Sequence, residues 1–148
     1  MLIEPYLYDT KQFSHDASEV ISVWKLGGTG NYNNASVGLM SATYALTGVN
    51  QAGWVMDNSI NSTKYFMKSG NSSGVGYVWT TVPFDTDYHV FKSTLSSSGM
   101  TGSIDGVAVG TNTTNLPTGS MQPHIHRQNK TGSGTYTLNV KYFEAYNT

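Results

Sequence analysis

A chain of 148 residues with a formal net charge of −1 and no cysteine is one domain of ordinary size. It can bury roughly 70% of the surface its unfolded form exposes, and so needs neither disulfide nor metal to fold. The absence of cysteine excludes thiolate catalysis and thiolate metal sites, and eight scattered basic residues form no stripe for nucleic acid. Charged residues make up 11%, under half the usual value of about 25%, and Asn, Ser, Thr, Gly and Tyr replace them, as on extracellular β proteins and virion shells.

The opening MLIEPYLYDTKQ has neither the basic start nor the apolar core of a signal peptide, and no run is long enough to span a membrane. An exterior-type surface without an export signal leads to two expectations: a protein released as part of a virus particle, or a domain cut from a larger secreted protein. No stretch of ten residues holds a helical apolar period, so helix should be minor. Strands are expected at VISVWK (Val20 to Lys25), ended by a Gly-rich turn, then at Ser36 to Leu46, Gly53 to Asp57 and Thr63 to Lys68. A Ser-Gly-Asn turn leads into VGYVWTT (Val75 to Thr81), Pro83 breaks that run, and YHVFKSTL (Tyr88 to Leu95) follows. Strands this short and this regularly spaced signal an all-β sandwich or barrel.

Asp105-Gly106 sits between two apolar runs, and Asp-Gly there is a strong hairpin signal, because a type I′ turn needs φ > 0 at both central positions. A two-residue turn would pair Ile104 with Val107, Ser103 with Ala108 and Gly102 with Val109. A strand around MQPHIHRQ comes next, and the closing TYTLNVKYFEAY alternates, putting Leu138, Val140 and Tyr142 on one face. Ten or eleven strands are too many for one open sheet of this length, so two packed sheets are expected. Five Asn-x-Ser/Thr triplets, at Asn34, Asn61, Asn71, Asn112 and Asn129, read as markers of exposed loops.

The order of these elements resembles the concanavalin A-like lectin/glucanase jelly rolls. The residues that carry the likeness are Tyr88-His89, Ile104-Asp105-Gly106, Asn115-Leu116-Pro117, Pro123 and Val140-Lys141-Tyr142, from about Gly53 to the C-terminus. Lys141 departs from the pattern, which often has an acid there. The resemblance implies a single domain over 1–148, all-β, in which two bent antiparallel sheets form a jelly-roll sandwich with ligands in its concave face or edge loops. Its members include glucanases, lectins and surface domains of virus particles, and the short, Ser/Thr/Asn-rich, cysteine-free style is most similar to the virus-associated ones.

Glucanases of this kind carry two carboxylates on one strand as Glu-x-Asp-x-(x)-Glu, because retaining hydrolysis needs carboxyls about 5–5.5 Å apart. The three glutamates Glu4, Glu19 and Glu144 form no such triplet, so the chain is expected not to be an enzyme. Asp85 and Asp87 are the weak candidates for Ca²⁺ through oxygen ligands; the plainer reading is a solvated turn in which Asp caps local amides. His124 and His126 share a strand face and could meet one metal or ligand, with His89 as third group if its strand lies in the same sheet; a hydrogen-bonded pair on a polar face is the plainer reading. Tyr77 and Trp79 also share a face, suited to stacking on sugar rings or to packing in the core, where Trp24 and Trp54 belong.

The expected function is therefore a non-catalytic virion surface or structural protein, located on the virion or extracellularly, with copies of itself and neighbouring virion proteins as partners in a homo-oligomer. Cell-surface glycans are a further candidate partner; nucleic acid and membrane insertion are not. The alternative is a free-standing carbohydrate-binding lectin module. Glycan contacts would fall to His124, His126, His89, Tyr77 and Trp79, with no obligatory cofactor and Ca²⁺ as the one open candidate.

Overall fold

The computed structural model describes residues 12–28, 33–41, 50–57, 60, 63–129 and 137–148. Within them lie ten strands and no helix: β1 (Ala17–Leu26), β2 (Asn33–Met40), β3 (Gln51–Asp57), β4 (Lys64–Asn71), β5 (Gly74–Pro83), β6 (His89–Ser96), β7 (Gly99–Ile104), β8 (Val107–Asn112), β9 (Gln122–Asn129) and β10 (Leu138–Asn147). They form two antiparallel five-stranded sheets, ordered β10-β1-β6-β7-β8 and β5-β4-β3-β2-β9. This is the expected all-β jelly-roll sandwich. Of the second expected strand, positions 42–46 lie outside the described residues.

Alternation selects the core. From the first sheet, Val20, Trp24, Leu26, Phe91, Leu95, Met100 and Ile104 point inward; from the second come Ala35, Val37, Leu39, Trp54, Met56, Tyr65 and Met67. Trp24 and Trp54 are fully buried, as expected. Trp24 stacks on Phe91 at 4.3 Å, Tyr65 meets both edge-on, and the Trp54 indole N–H reaches across to the Lys92 carbonyl at 3.3 Å.

The hairpin turn has φ of 52° at Asp105 and 80° at Gly106, the positive pair that a type I′ turn requires. Ile104 pairs with Val107 and Ser103 with Ala108, but Gly102 pairs with Gly110 and not Val109. Val109 is the extra residue of a β-bulge, which simple alternation misses. A second bulge corrects the closing strand. Trp24 faces Val140 but Val23 faces Tyr142, so Lys141 is inserted, the core face continues at Phe143 and Ala145, and Tyr142 is 47% exposed.

The Asn triplets are not uniformly loops. Asn34 and Asn112 are buried in strands, where Asn34 donates to Asp57 at 3.0 Å and Asn112 to Ser69 at 2.8 Å. Asn71 donates to the Leu116 carbonyl, and Asn61 lies outside the described residues.

Candidate functional site

The outward face of the second sheet gathers the most chemistry. Register builds it row by row. His124 pairs with Gly38, Gly38 with Gly53, Gly53 with Lys68 and Lys68 with Tyr77. The adjacent row runs His126, Ser36, Val55, Phe66 and Trp79. Paired residues share a face, so His124 and His126 stand on one flank of a single surface and Tyr77 and Trp79 on the other. Four strand spacings, roughly 19 Å, separate the flanks.

The middle of this face is low because two glycines meet there. A Cβ on Gly38 would lie 2.5 Å from the Gly53 Cα, and one on Gly53 would lie 2.6 Å from the Val37 carbonyl oxygen. Glycine inside a strand commonly marks such a close backbone approach. The resulting notch has a volume of about 20 Å³ and is lined by Ser36, Gly38, Met40, Gln51, Lys68 and His124 among others.

Tyr77 and Trp79 are stacked at 5.3 Å with 23° between their planes, and both rest against the buried Phe66 ring, at 5.6 and 5.1 Å. Trp79 remains 50% exposed. The core reading of this pair is therefore corrected: the strand face carrying them points away from the sandwich interior, which Val78 and Thr80 approach instead. Trp79 also borders a cleft of about 280 Å³ between the edges of β5 and β8, lined by Thr80 to Val82 and Val107 to Val109.

On the other flank the His124 and His126 rings stack at 5.7 Å and 15°. Burial, and after it the neighbouring His126, push the His124 ring down to about 4; burial lowers His126 too. Both are neutral at pH 7. Lys68, 5% exposed, is lowered by burial, which the Asp57 charge opposes. The Tyr77 hydroxyl is raised by burial and then by Asp57.

His89 lies elsewhere. It belongs to β6 of the first sheet, so the condition for joining His124 and His126 is not met. Its Nδ1 is 2.6 Å from Asp105 Oδ2 and its Nε2 3.0 Å from Asp85 Oδ1. Asp85 also accepts the Asp87 amide at 2.8 Å, the turn-capping geometry of an Asx motif. Among the described residues no group of three His, Asp or Glu side chains is arranged to hold a metal ion.

Lys68, Gly38, Gly53 and Gln51 were not singled out by sequence reasoning. Two signals for them were present: the interior glycines of two strands, and the alternation in KYFMK that puts Lys68 on the face of Phe66.

The fold is that of the concanavalin A-like jelly rolls. No protein-family model and no curated protein sequence matches the chain. Among solved structures it is similar to a glycoside hydrolase family protein from Mycobacterium thermorestibile (TM-score 0.63, 12% identity, 88% of this chain and 63% of that one). It is likewise similar to the Crh5 transglycosylase in its apo form (0.59, 17%, 89% and 63%). A third is CG-16, a homodimeric agglutinin from chicken liver (0.54, 10%, 88% and 92%). The chain thus spans less than two thirds of the two enzymes' length.

These likenesses correct the expectation that the chain is not an enzyme. Two of the three structures are, by name, a glycoside hydrolase family protein and a transglycosylase, so the fold is one that carbohydrate-acting enzymes use. The exclusion rested on one strand-borne triplet, whereas the chemistry asks only that two carboxyls stand at the right separation in space. None of the three is named as a virion protein, and the virion role finds no support in them.

Proposed function

We propose that this chain is a carbohydrate-recognition domain of the concanavalin-like type, and that it binds an oligosaccharide across the outward face of the β5-β4-β3-β2-β9 sheet. One observation carries the reading: a glycine-floored recess flanked on one side by the exposed Trp79 ring, with half-buried Tyr77 stacked on it, and on the other by a pair of imidazoles. Sugar rings offer apolar faces that stack on Tyr and Trp, and hydroxyls that need converging polar groups, here Gln51, Ser36 and His124. The roughly 19 Å between the flanks is longer than a single ring, which favours a chain over a terminal monosaccharide. A glycosidase, a transglycosylase and an agglutinin of this fold have in common, by their names, dealings with carbohydrate.

A broad glycan array on the purified chain, with and without Ca²⁺, tests this, and the bound oligosaccharides are followed for cleavage or transfer. Binding to one sugar class is expected, with Trp79→Ala weakening it at least about tenfold, or about 1.4 kcal/mol. Silence across the array at millimolar ligand would remove the proposal.

A further inference from the structure

The outward face of the other sheet, β10-β1-β6-β7-β8, is not built throughout as a solvated surface. An antiparallel sheet with water on one side normally turns polar residues outward. The β7 and β8 half of this face obeys, with Thr101, Ser103 and Thr111 on it. The β10-β1-β6 half does not. One row there reads Tyr142, Val23 and Val90, and the next holds Ile21 between Glu144 and Lys92. Tyr142, Val90 and, one row further, Tyr88 are exposed, three of the six large apolar side chains that are so among the described residues.

Charge is graded along the same strands. The outward positions of β1 run Glu19, Ile21, Val23 and Lys25: acid, two apolar residues, base. At the basic end the Lys25 and Lys141 ammoniums share the Tyr88 ring, 4.8 and 5.8 Å from its centre, and neither has an ion pair among the described residues. At the acidic end Glu19 is already held within its own chain, by Lys92 at 2.8 Å, by Thr94 and by Tyr146. Glu144 is exposed and accepts the Tyr142 hydroxyl at 2.6 Å. Two carboxylates against one ammonium leave one negative charge at that end, opposite two positive charges at the other. Such an order is complementary to its own reverse.

We infer that this face is the interface for a second copy of the chain, packed back to back. The two-fold axis lies between the faces, crosses the strands and passes level with Ser22. It lays the apolar rows of the two copies over each other and brings Lys141 of each copy towards Glu144 of the other. Burial of the Tyr and Val side chains drives the association, and the charges fix its register. Five strands by four rows span roughly 24 by 20 Å. A face-to-face pair therefore buries about 1,000 Å² in total, the size of a weak and reversible contact. On the carbohydrate reading above, the pair carries its two proposed binding faces on opposite sides, but the interface itself does not depend on that reading.

Sedimentation equilibrium across the micromolar to millimolar range, with no sugar present, tests the inference on the wild type, Val90→Lys, Lys141→Glu and the exchange Lys141→Glu with Glu144→Lys. Thermal melting confirms that each variant folds. The wild type should form a dimer whose fraction rises with concentration. Val90→Lys, which sets a charge in the apolar row, should weaken it at least about tenfold. Lys141→Glu should weaken it about threefold or more, because the two-fold axis makes each contact twice, and the exchange should return it to within about twofold of wild type. Should Val90→Lys fail to fold, the Lys141 and Glu144 variants decide, since both side chains are exposed. A wild type that stays monomeric at millimolar concentration overturns the inference. So does a dimer indifferent to Val90→Lys, as pairing through the free edge of β10 would give, or an exchange that restores nothing. None of these outcomes bears on glycan binding, which the array reads separately.

Discussion

His89 is held from both sides, and its surroundings make it a residue through which pH acts on stability. Its side chain is 13% exposed and touches Asp85 on the β5–β6 connection and Asp105 in the hairpin turn, while its ring meets Tyr65 edge-on at 5.8 Å. Burial alone would lower the imidazole, but the Asp105 and Asp85 hydrogen bonds and charges outweigh it and raise the ring above its ordinary value. Burial would raise Asp105, yet the His89 hydrogen bond and the Val90 amide hold it below the usual carboxylate range. The raised imidazole stabilises the fold fully below about pH 6.5 and loses that contribution as pH climbs through its folded value. The lowered carboxylate stabilises above about pH 3.9 and loses it as pH falls further. The clasp is therefore complete near pH 5 to 6.5. His89→Gln should depress the melting temperature most in that window and less at pH 9. A deficit that stays constant across pH would show that the residue acts by packing alone.

At the scale of the element, alternation was legible wherever a ladder is regular and failed where it is not. The hairpin turn could be read from Asp105-Gly106 because only a few residues tolerate φ > 0. The bulges at Val109 and Lys141 could not, since an inserted residue is defined by its pairing with the strand opposite: two-residue-turn alternation predicts Gly102 against Val109 even within one hairpin, and Val23 lies far from Lys141 in sequence. Likewise the exposed face of Tyr77 and Trp79 has the same spacing as a core face. Which side of β5 meets the other sheet is decided by pairing with β4, and the pattern of β5 alone is silent on it. The rows of the candidate site were hidden for that reason, although each member sat in a strand the sequence had already placed. The bulge makes a prediction of its own. Deleting Lys141 would restore strict alternation with Val140, Phe143 and Ala145 still facing the core and the pairings of Trp24 with Val140 and Val23 with Tyr142 kept. The variant should therefore stay within about 1 kcal/mol of wild type, and chemical denaturation measures it. A loss of about 3–5 kcal/mol, comparable to truncating a buried Phe, would mean that Phe143 and Ala145 have left the core.

Over the whole molecule, stability centres on the aromatic cluster of Trp24, Trp54, Tyr65 and Phe91, which joins both sheets. Phe91 touches the other three, at 4.3, 5.4 and 5.1 Å, and is fully buried. Phe91→Ala should destabilise by about 3–5 kcal/mol, read from urea unfolding with an unchanged m-value. A much smaller loss would mean that the neighbours collapse into the space. The same core backs the sheet that holds the two flanks of the proposed binding face at a fixed separation. A destabilised core should therefore blur ligand affinity as well as lower melting.

The pairing of β1 with β10 has a mechanical meaning. The strands run antiparallel, Ser18 beside Asn147, and the Thr148 amide donates to the Ala17 carbonyl at 3.1 Å. The outer ends of the two strands therefore lie side by side. Tension applied through Ala17 and Thr148 would pull across the ladder and not along it, loading one hydrogen-bonded pair at a time. Such a domain opens like a zipper under load. It would resist a steady pull far less than its buried core suggests, and would yield first by peeling away its last strand.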